Sequence, residues 1–392
     1  MDTLTHALSG ALVARWICAA APAAVTLPAS AAAPALRSGF AQAWRAGAGS
    51  VKPWQAVVVG LVAGAFPDID AVSQSVGDFT YLRHHRGITH SLLLAPVWAA
   101  LLALLLAPLW ARTRGMQAGW KPLYPLTLAA ILAHIAGDWI TQFGTMLLAP
   151  LSDQRFGLGA MFIIDLSFTG ILLAALLLCA LWRGQRWPAA LGVAAAAAWV
   201  GLAWVGQQEA LAVGHAHAAA QGIRAQWVDT MPRPASPFNW TVTVFDGQTY
   251  HLAHINTRRS QALVAGPEDN FVRRFSAPYL PVAQAQWQQV AKFGAPDTAA
   301  WAQQAWEHPA FATYRWFAQS PALVEVVEGV AGVDGVQPTK AGGKAERCAV
   351  FRDLRFEFPG RGESPFRFGL CLDGQGAARV VKVQDGVLLP AN

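Results

Sequence analysis

Two short motifs carry most of the chemistry this sequence could perform. Phe66-Pro67-Asp68-Ile69-Asp70 is followed, after a polar link, by Arg83-His84-His85-Arg86-Gly87-Ile88-Thr89-His90-Ser91. Together they place two carboxylates, three imidazoles and two guanidiniums between long apolar runs. Charge at a membrane boundary is costly unless something there uses it. Carboxylate and imidazole together are the ligand set of a divalent metal such as zinc, with manganese as a second choice. Further ligand-type residues lie elsewhere in apolar sequence. His6 opens the first run, Asp165 opens a later one, and His134 and Asp138 sit four apart, so they project from one side of a helix.

Each of these residues also has a plainer explanation. Asp68 after Pro67 could simply end a helix, and a lone helical histidine is usually a hydrogen-bonded core residue. His84 reads as a neighbour of the true ligands, with His85 and His90 preferred. Arg86, with Arg83 as a second candidate, offers a fork that matches phosphoryl oxygens, against an ion pair with Asp68 or Asp70. Convergence decides the matter, because the ligand types recur at the same end of successive apolar segments. His215, His217, His251 and His254 fall in polar sequence and stay outside the set.

The elements that must position these residues follow from composition. Only 13% of the 392 residues are charged, against about 25% in soluble domains. The depletion holds to about residue 206 and ends there, which predicts a membrane-embedded domain over 1–206 and a soluble α+β domain over 207–392. The fold expected is mainly α, a polytopic bundle of about six membrane helices followed by the small α+β domain. The apolar segments are Leu4–Leu27, Trp54–Phe66, Leu92–Ala111, Leu123–Leu148, Ala160–Trp182 and Pro188–Gly206. The first is read as a retained helix, since Asp2 and Arg15 suit a cleaved signal peptide poorly. On this reading His134 and Asp138 lie near the middle of their segment, in a recess.

Loops 28–53, 112–121 and 183–187 hold eight Lys/Arg, whereas 67–91 and 149–159 hold three. The positive-inside rule then puts the first set in the cytoplasm, with the metal site and the C-terminal domain on the outer, periplasmic side. Seventeen tryptophans suit two interfacial belts. The +6 charge is dispersed, so no nucleic-acid partner is expected; the partners are the lipid bilayer and a phosphorylated or lipid-linked substrate. In the C-terminal region Trp240–Leu252 is two alternating runs around Asp246-Gly247, a hairpin signal. Residues 282–318 read as helical, and 346–358 and 366–383 as strands. Cys348 and Cys371 either bridge, if outside the cytoplasm, or remain a buried thiol pair.

Met1-Asp-Thr-Leu-Thr-His6-Ala-Leu-Ser-Gly10, the Phe-Pro-Asp68-Ile-Asp70 corner, His85-Arg-Gly-Ile-Thr-His90-Ser and His134-x-x-x-Asp138 together resemble the YdjM-type inner-membrane metal-dependent hydrolases of bacteria. The resemblance covers roughly residues 1–182. Ser236-Pro-Phe-Asn-Trp240 also resembles the C-terminal extension of a proteobacterial branch of that group. The group stands beside zinc phospholipase C and the zinc-dependent single-strand nucleases, whose clusters hold several zinc ions. The resemblance implies metal ligation by His6, Asp68, His85, His90, His134 and Asp138, with Asp70 and Asp165 as further candidates. Arg86 and Asp70 are the residues expected to act in catalysis. The expected function is hydrolysis of a phosphoester through water activated by two or three divalent ions. The alternative is a non-catalytic metal-binding membrane protein or transporter that presents a soluble envelope domain.

Overall fold

The computed structural model describes residues 1–18, 51–111, 119–328, 346–373, 375–385 and 387–391. Most of the basic loop expected over 28–53, residues 112–118 of the next loop, and the first apolar stretch beyond residue 18 lie outside them. About half of the described residues are helical. The chain divides into two compact units, Met1–Asp70 with Arg86–Leu202, and Ala71–His85 with Ala203–Asn392.

The helices are, in chain order, α1 Thr3–Ile17, α2 Pro53–Ala65, α3 Asp78–His84, α4 Ala95–Ala111, α5 Tyr124–Trp139, α6 Leu166–Leu181 and α7 Trp187–Gln221. Apart from α3 and the end of α7, these build the first unit. A 3-10 stretch, Phe66–Ser75, continues α2. Among the described residues, two continuous helices are long and apolar enough to cross a membrane, Pro53–Ser75 and Trp187–Gln221; a bent pair, Asp78–His90 with Ala95–Leu109, would make a third. Leu104, Leu105, Leu177 and Leu181 are exposed on α4 and α6, as lipid-facing leucines would be.

Local chemistry sets several boundaries. Asp2 caps α1 by accepting from the Thr5 amide at 3.0 Å, and Pro53 opens α2 where a missing N–H costs nothing. Small residues let α1 and α2 touch through their backbones: a methyl group built on Gly10 would run into the Gly60 carbonyl, and one on Gly64 would lie 2.6 Å from the His6 carbonyl.

The fourth and fifth apolar segments differ from their sequence reading. The expected helix over Leu123–Leu148 stops at Trp139, and the one expected from Ala160 starts at Leu166. Between them the backbone folds on itself, with Leu158 and Ala160 amides donating to Trp139 and Ile140 carbonyls and Thr145 pairing with Phe156. Gly144, at φ +85°, permits the reversal. His134 and Asp138 therefore occupy the last two turns of α5, not its middle.

The second unit is built on two five-stranded sheets. In the first, β1 Trp227–Pro232, β2 Asn239–Phe245 and β3 Thr249–Asn256 are antiparallel, and β4 Leu280–Pro281 joins β3 in parallel. The β2–β3 turn is the expected Asp246-Gly247, with Gly247 at φ +107° and Asp246 Oδ1 accepting from the Gln248 and Thr249 amides. The region 282–318 is only partly helical. Gln288–Ala291 forms β5 against β3, because its alternation fits an open sheet edge; α9 Pro296–Glu307 and α10 Ala312–Phe317 follow (α8 is the short Phe271–Ser276). The second sheet is a meander of β6 Pro321–Glu328, β7 Arg347–Asp353, β8 Phe368–Leu372, β9 Ala378–Gln384 and β10 Val387–Pro390. Cys348 and Cys371, directly opposed on β7 and β8, are joined by a disulfide.

This unit buries a charged network. Arg355 donates to Asp353 Oδ2 and to the Phe317 carbonyl, and Arg233 donates to Thr241 Oγ1 and the Arg355 carbonyl. Thr241 in turn meets His254 Nδ1 at 2.8 Å. Burial lowers Arg233 to about 10, and burial together with the Arg233 charge lowers His254 to about 4.

Candidate metal centre

Three elements of the first unit deliver four ligand-type side chains to one place: His6 from α1, Asp68 from the 3-10 stretch after α2, and His134 and Asp138 from the last turns of α5. One ligand atom from each can be chosen so that all four lie within 4.8 Å of one another, a group that could hold a metal ion. His90, on the short 3-10 turn Ile88–His90, adjoins it: its Nε2 is 2.9 Å from His134 Nε2, 3.0 Å from Asp138 Oδ2 and 3.8 Å from Asp68 Oδ1. His6, His90, His134 and Asp138 are completely buried.

The hydrogen bonds fix which atoms face inward. His134 Nδ1 lies 2.6 Å from the Gly64 carbonyl, which can only accept, so Nδ1 carries the proton and Nε2 is a lone pair. His90 Nδ1 is 3.1 Å from Asp70 Oδ2, so its Nε2 is also left as an acceptor in the neutral ring. With both rings neutral, two acceptor nitrogens face each other across 2.9 Å. Asp138 Oδ2, buried and without a hydrogen bond, points at the same spot, 3.5 Å from His134 Nε2. Acceptors converging without protons repel, and a cation between them removes the repulsion. Imidazoles that give their second N–H to a carbonyl or a carboxylate are also oriented as metal ligands are. The donor set fits a divalent ion.

Asp138 Oδ1 is crowded by donors instead. It receives the Met1 amine at 2.5 Å, Arg86 Nη2 at 2.8 Å and His6 Nε2 at 2.9 Å. The His6 ring stacks on His134 with centroids 3.7 Å apart, and Gly137 makes room for it, since a methyl there would lie 3.1 Å from His6 Cε1. Arg86 is buried, with Nη1 donating to Thr141 Oγ1 and its guanidinium 5.0 Å over the Phe143 ring, while Nε has no hydrogen bond. Its backbone is left-handed, at φ 59°, a strained state for arginine of order 1–3 kcal/mol. Asp70 Oδ2 accepts from the Arg86 amide and the Thr89 hydroxyl, and the Met146 amide donates to the Arg86 carbonyl. Those bonds hold it there.

Other residues singled out in the sequence have partners of their own. His85 belongs to the second unit and stacks on Tyr81 at 4.5 Å. His84 Nδ1 bonds the Thr80 carbonyl. Asp165 caps α6 through the Phe168 amide and accepts from Trp199 Nε1, so both its oxygens are engaged in helix packing. Asp70 meets the ring of His90 on the side away from the group and orients it. The ion pair anticipated for Arg86 with Asp68 or Asp70 forms with Asp138.

The sequence reading missed the Gly64 carbonyl, Thr3, which donates to Asp68 Oδ2 at 2.6 Å, and Thr141. Backbone groups leave no signature in residue types. Thr89, between Arg86 and His90 in the motif, was open to detection.

Residues 1–210 match the profile of a family described as YdjM inner membrane protein. An uncharacterized protein of Bacillus subtilis (strain 168), YfhP, is 30% identical over 105 residues, 26% of this chain and 31% of that protein. The match thus spans about a third of the curated relative's length. No solved structure gives a significant match.

Proposed function

Because this chain belongs to the YdjM inner-membrane protein family, we propose that it is a membrane-bound metal-dependent hydrolase acting on a phosphoester. The observation that carries the proposal is the convergence of His90 Nε2, His134 Nε2, Asp138 Oδ2 and Asp68 Oδ1 on one spot, which with both rings neutral presents four lone pairs to an ion. His6, Asp68, His90, His134 and Asp138 would hold the metal, with zinc preferred for the nitrogen-rich donor set. A bound divalent ion supplies Lewis acidity toward a phosphoryl oxygen and an activated water at neutral pH.

The chain's own residues do the rest. Arg86 holds a fixed positive charge beside Asp138, and Nε, without a partner, is available to a phosphoryl oxygen. Asp70 is a positioning residue: it keeps the proton on His90 Nδ1 and anchors the Arg86 amide. Phe143, under the guanidinium, restricts water on that side.

In this reading the protein crosses the inner membrane several times. The lysine and arginine count argues that the Phe66–Ser91 stretch faces the periplasm, and the Cys348–Cys371 disulfide argues separately that the strand-rich unit does. A transporter would be expected to carry ligand-type residues along the depth of its helices. Here they gather at helix ends, which supports the hydrolase.

The test is elemental analysis of detergent-purified protein with a phosphodiester hydrolysis assay, wild type beside Asp138→Ala. Metal and hydrolysis are expected in the first and neither in the second. Retention of both by Asp138→Ala would sink the proposal.

A further inference from the structure

Residues 71–85 leave the first unit between two of its site residues. Asp70 stands at one end of this excursion and Arg86 at the other, and Asp70 Oδ2 closes the neck by accepting the Arg86 amide at 2.9 Å. Within the second unit the excursion is gripped from several sides. Helix α3 packs against α10. Asp78 pairs with Lys382 of β9 at 2.8 Å, Phe79 packs on Phe368 of β8 with centroids 5.2 Å apart, and Arg83 lies 5.2 Å over the Trp316 ring of α10. Leu82 is fully buried beside them.

We propose that the strand-rich unit acts as a clamp on this excursion, and that Asp78 and Arg83, with Lys382 and Trp316, are positioning residues for Arg86 and His90. The neck needs such a clamp. Arg86 sits in a left-handed conformation that its own preferences oppose, and it persists only where the surroundings over-determine it. Asp70 at the same neck sets the His90 ring. Fifteen residues tethered at both ends transmit a shift at α3 to Asp70, Arg86 and Thr89 through the chain itself. A role for the C-terminal half follows: it preorganises a site to which it contributes no ligand-type side chain among the described residues. The metal-affinity part of this inference rests on the proposed metal centre; the conformational part does not.

The experiment uses the full-length protein in detergent, with Co²⁺ as the probe. Two readouts are taken for Lys382→Glu, for Trp316→Leu, and for the charge swap Asp78→Lys with Lys382→Glu. They are hydrogen exchange of the peptide containing the Arg86 amide, and Co²⁺ affinity with its visible spectrum. Lys382→Glu and Trp316→Leu are expected to speed Arg86 exchange and to weaken Co²⁺ binding about tenfold, the low end for lost outer-sphere support. The charge swap is expected to restore both. Should both single variants leave the exchange, affinity and spectrum at wild-type values while near-ultraviolet circular dichroism shows the unit folded, the clamp is refuted. Arg83→Gln serves in place of any variant that fails to fold. Wild-type protein that takes up no Co²⁺ would overturn the metal centre, and the exchange data then decide the clamp alone.

Discussion

In the strand-rich unit the buried Arg355 meets Asp353 at 2.7 Å, its Nη2 also reaches a backbone carbonyl, and Arg233, Thr241 and His254 form a chain in which each donor finds an acceptor. In the helical unit Asp138 is just as deeply buried, yet one of its oxygens takes three donors and the other none. Two imidazole nitrogens beside it face each other as acceptors. Both regions bury charge; in the helical one, neutral imidazoles leave the converging atoms as acceptors alone. A satisfied network strengthens a core, whereas a buried acceptor left without a partner costs about 1–3 kcal/mol. A junction of four elements that retains that cost could hold a metal ion. Burial of polar groups alone therefore does not mark a site, and the sign of what converges does.

The contrast can be broken experimentally, and the largest effect is expected in the satisfied network. Asp353→Ala leaves the Arg355 charge buried and unpaired, and should cost about 3–5 kcal/mol in denaturant unfolding of the strand-rich unit. Metal content per folded protein should not change. A metal loss equal to that of Asp138→Ala would erase the distinction.

Next in size is a pH effect on the same network. His254 is held neutral, with its folded value near 4 against an ordinary 6.5. Protonation therefore favours the unfolded chain. The stabilisation is complete above pH 6.5 and is lost as the pH falls toward 4, by up to about 3 kcal/mol. Melting temperatures across that window should fall in the wild type and flatten in His254→Gln.

A smaller change is expected from Asp70→Asn, which keeps the shape but weakens the carboxylate that orients His90. Metal affinity should drop about 10–100-fold, with the unfolding midpoint little altered, as read by competitive chelator titration. The smallest stability effect should come from His90→Gln in metal-free protein. An amide N–H there can donate to His134 Nε2, so unfolding free energy should move by about 1 kcal/mol or less while metal binding is abolished. A loss several times larger would show that the histidine pair is a structural bond after all.

Residue types and spacing exposed much of the site. His134 and Asp138, four apart in an apolar run, and the Asp68–Asp70 and His85–His90 motifs pointed to the right neighbourhood, because buried ionisable groups are rare enough to stand out. Spacing did not separate His85 from His90. That His90 reaches His134 is a tertiary fact. Asp165 shared the ligand chemistry but is spent on the α6 amide and Trp199, partners distant or invisible in sequence. The ends of α5 and α6 were misplaced because residues 140–148 and 160–164 are largely apolar, and backbone bonds such as Ala160 to Ile140 terminate the helices. Strand β5 was hidden for the converse reason: four residues between helical stretches take their conformation from the edge of β3.

The glycine contact between α1 and α2 reaches further than packing. The Gly64 carbonyl that receives the His134 Nδ1 proton belongs to the residue on which α1 rests beside His6. The separation of two helix axes therefore sets the tilt of one imidazole and its stacking on another. One added methyl at Gly10 or Gly64, with no polar atom altered, would act as a wedge that detunes metal selectivity. Variants in this seam should be read as changes in the aperture of the centre, even though none of them touches a ligand.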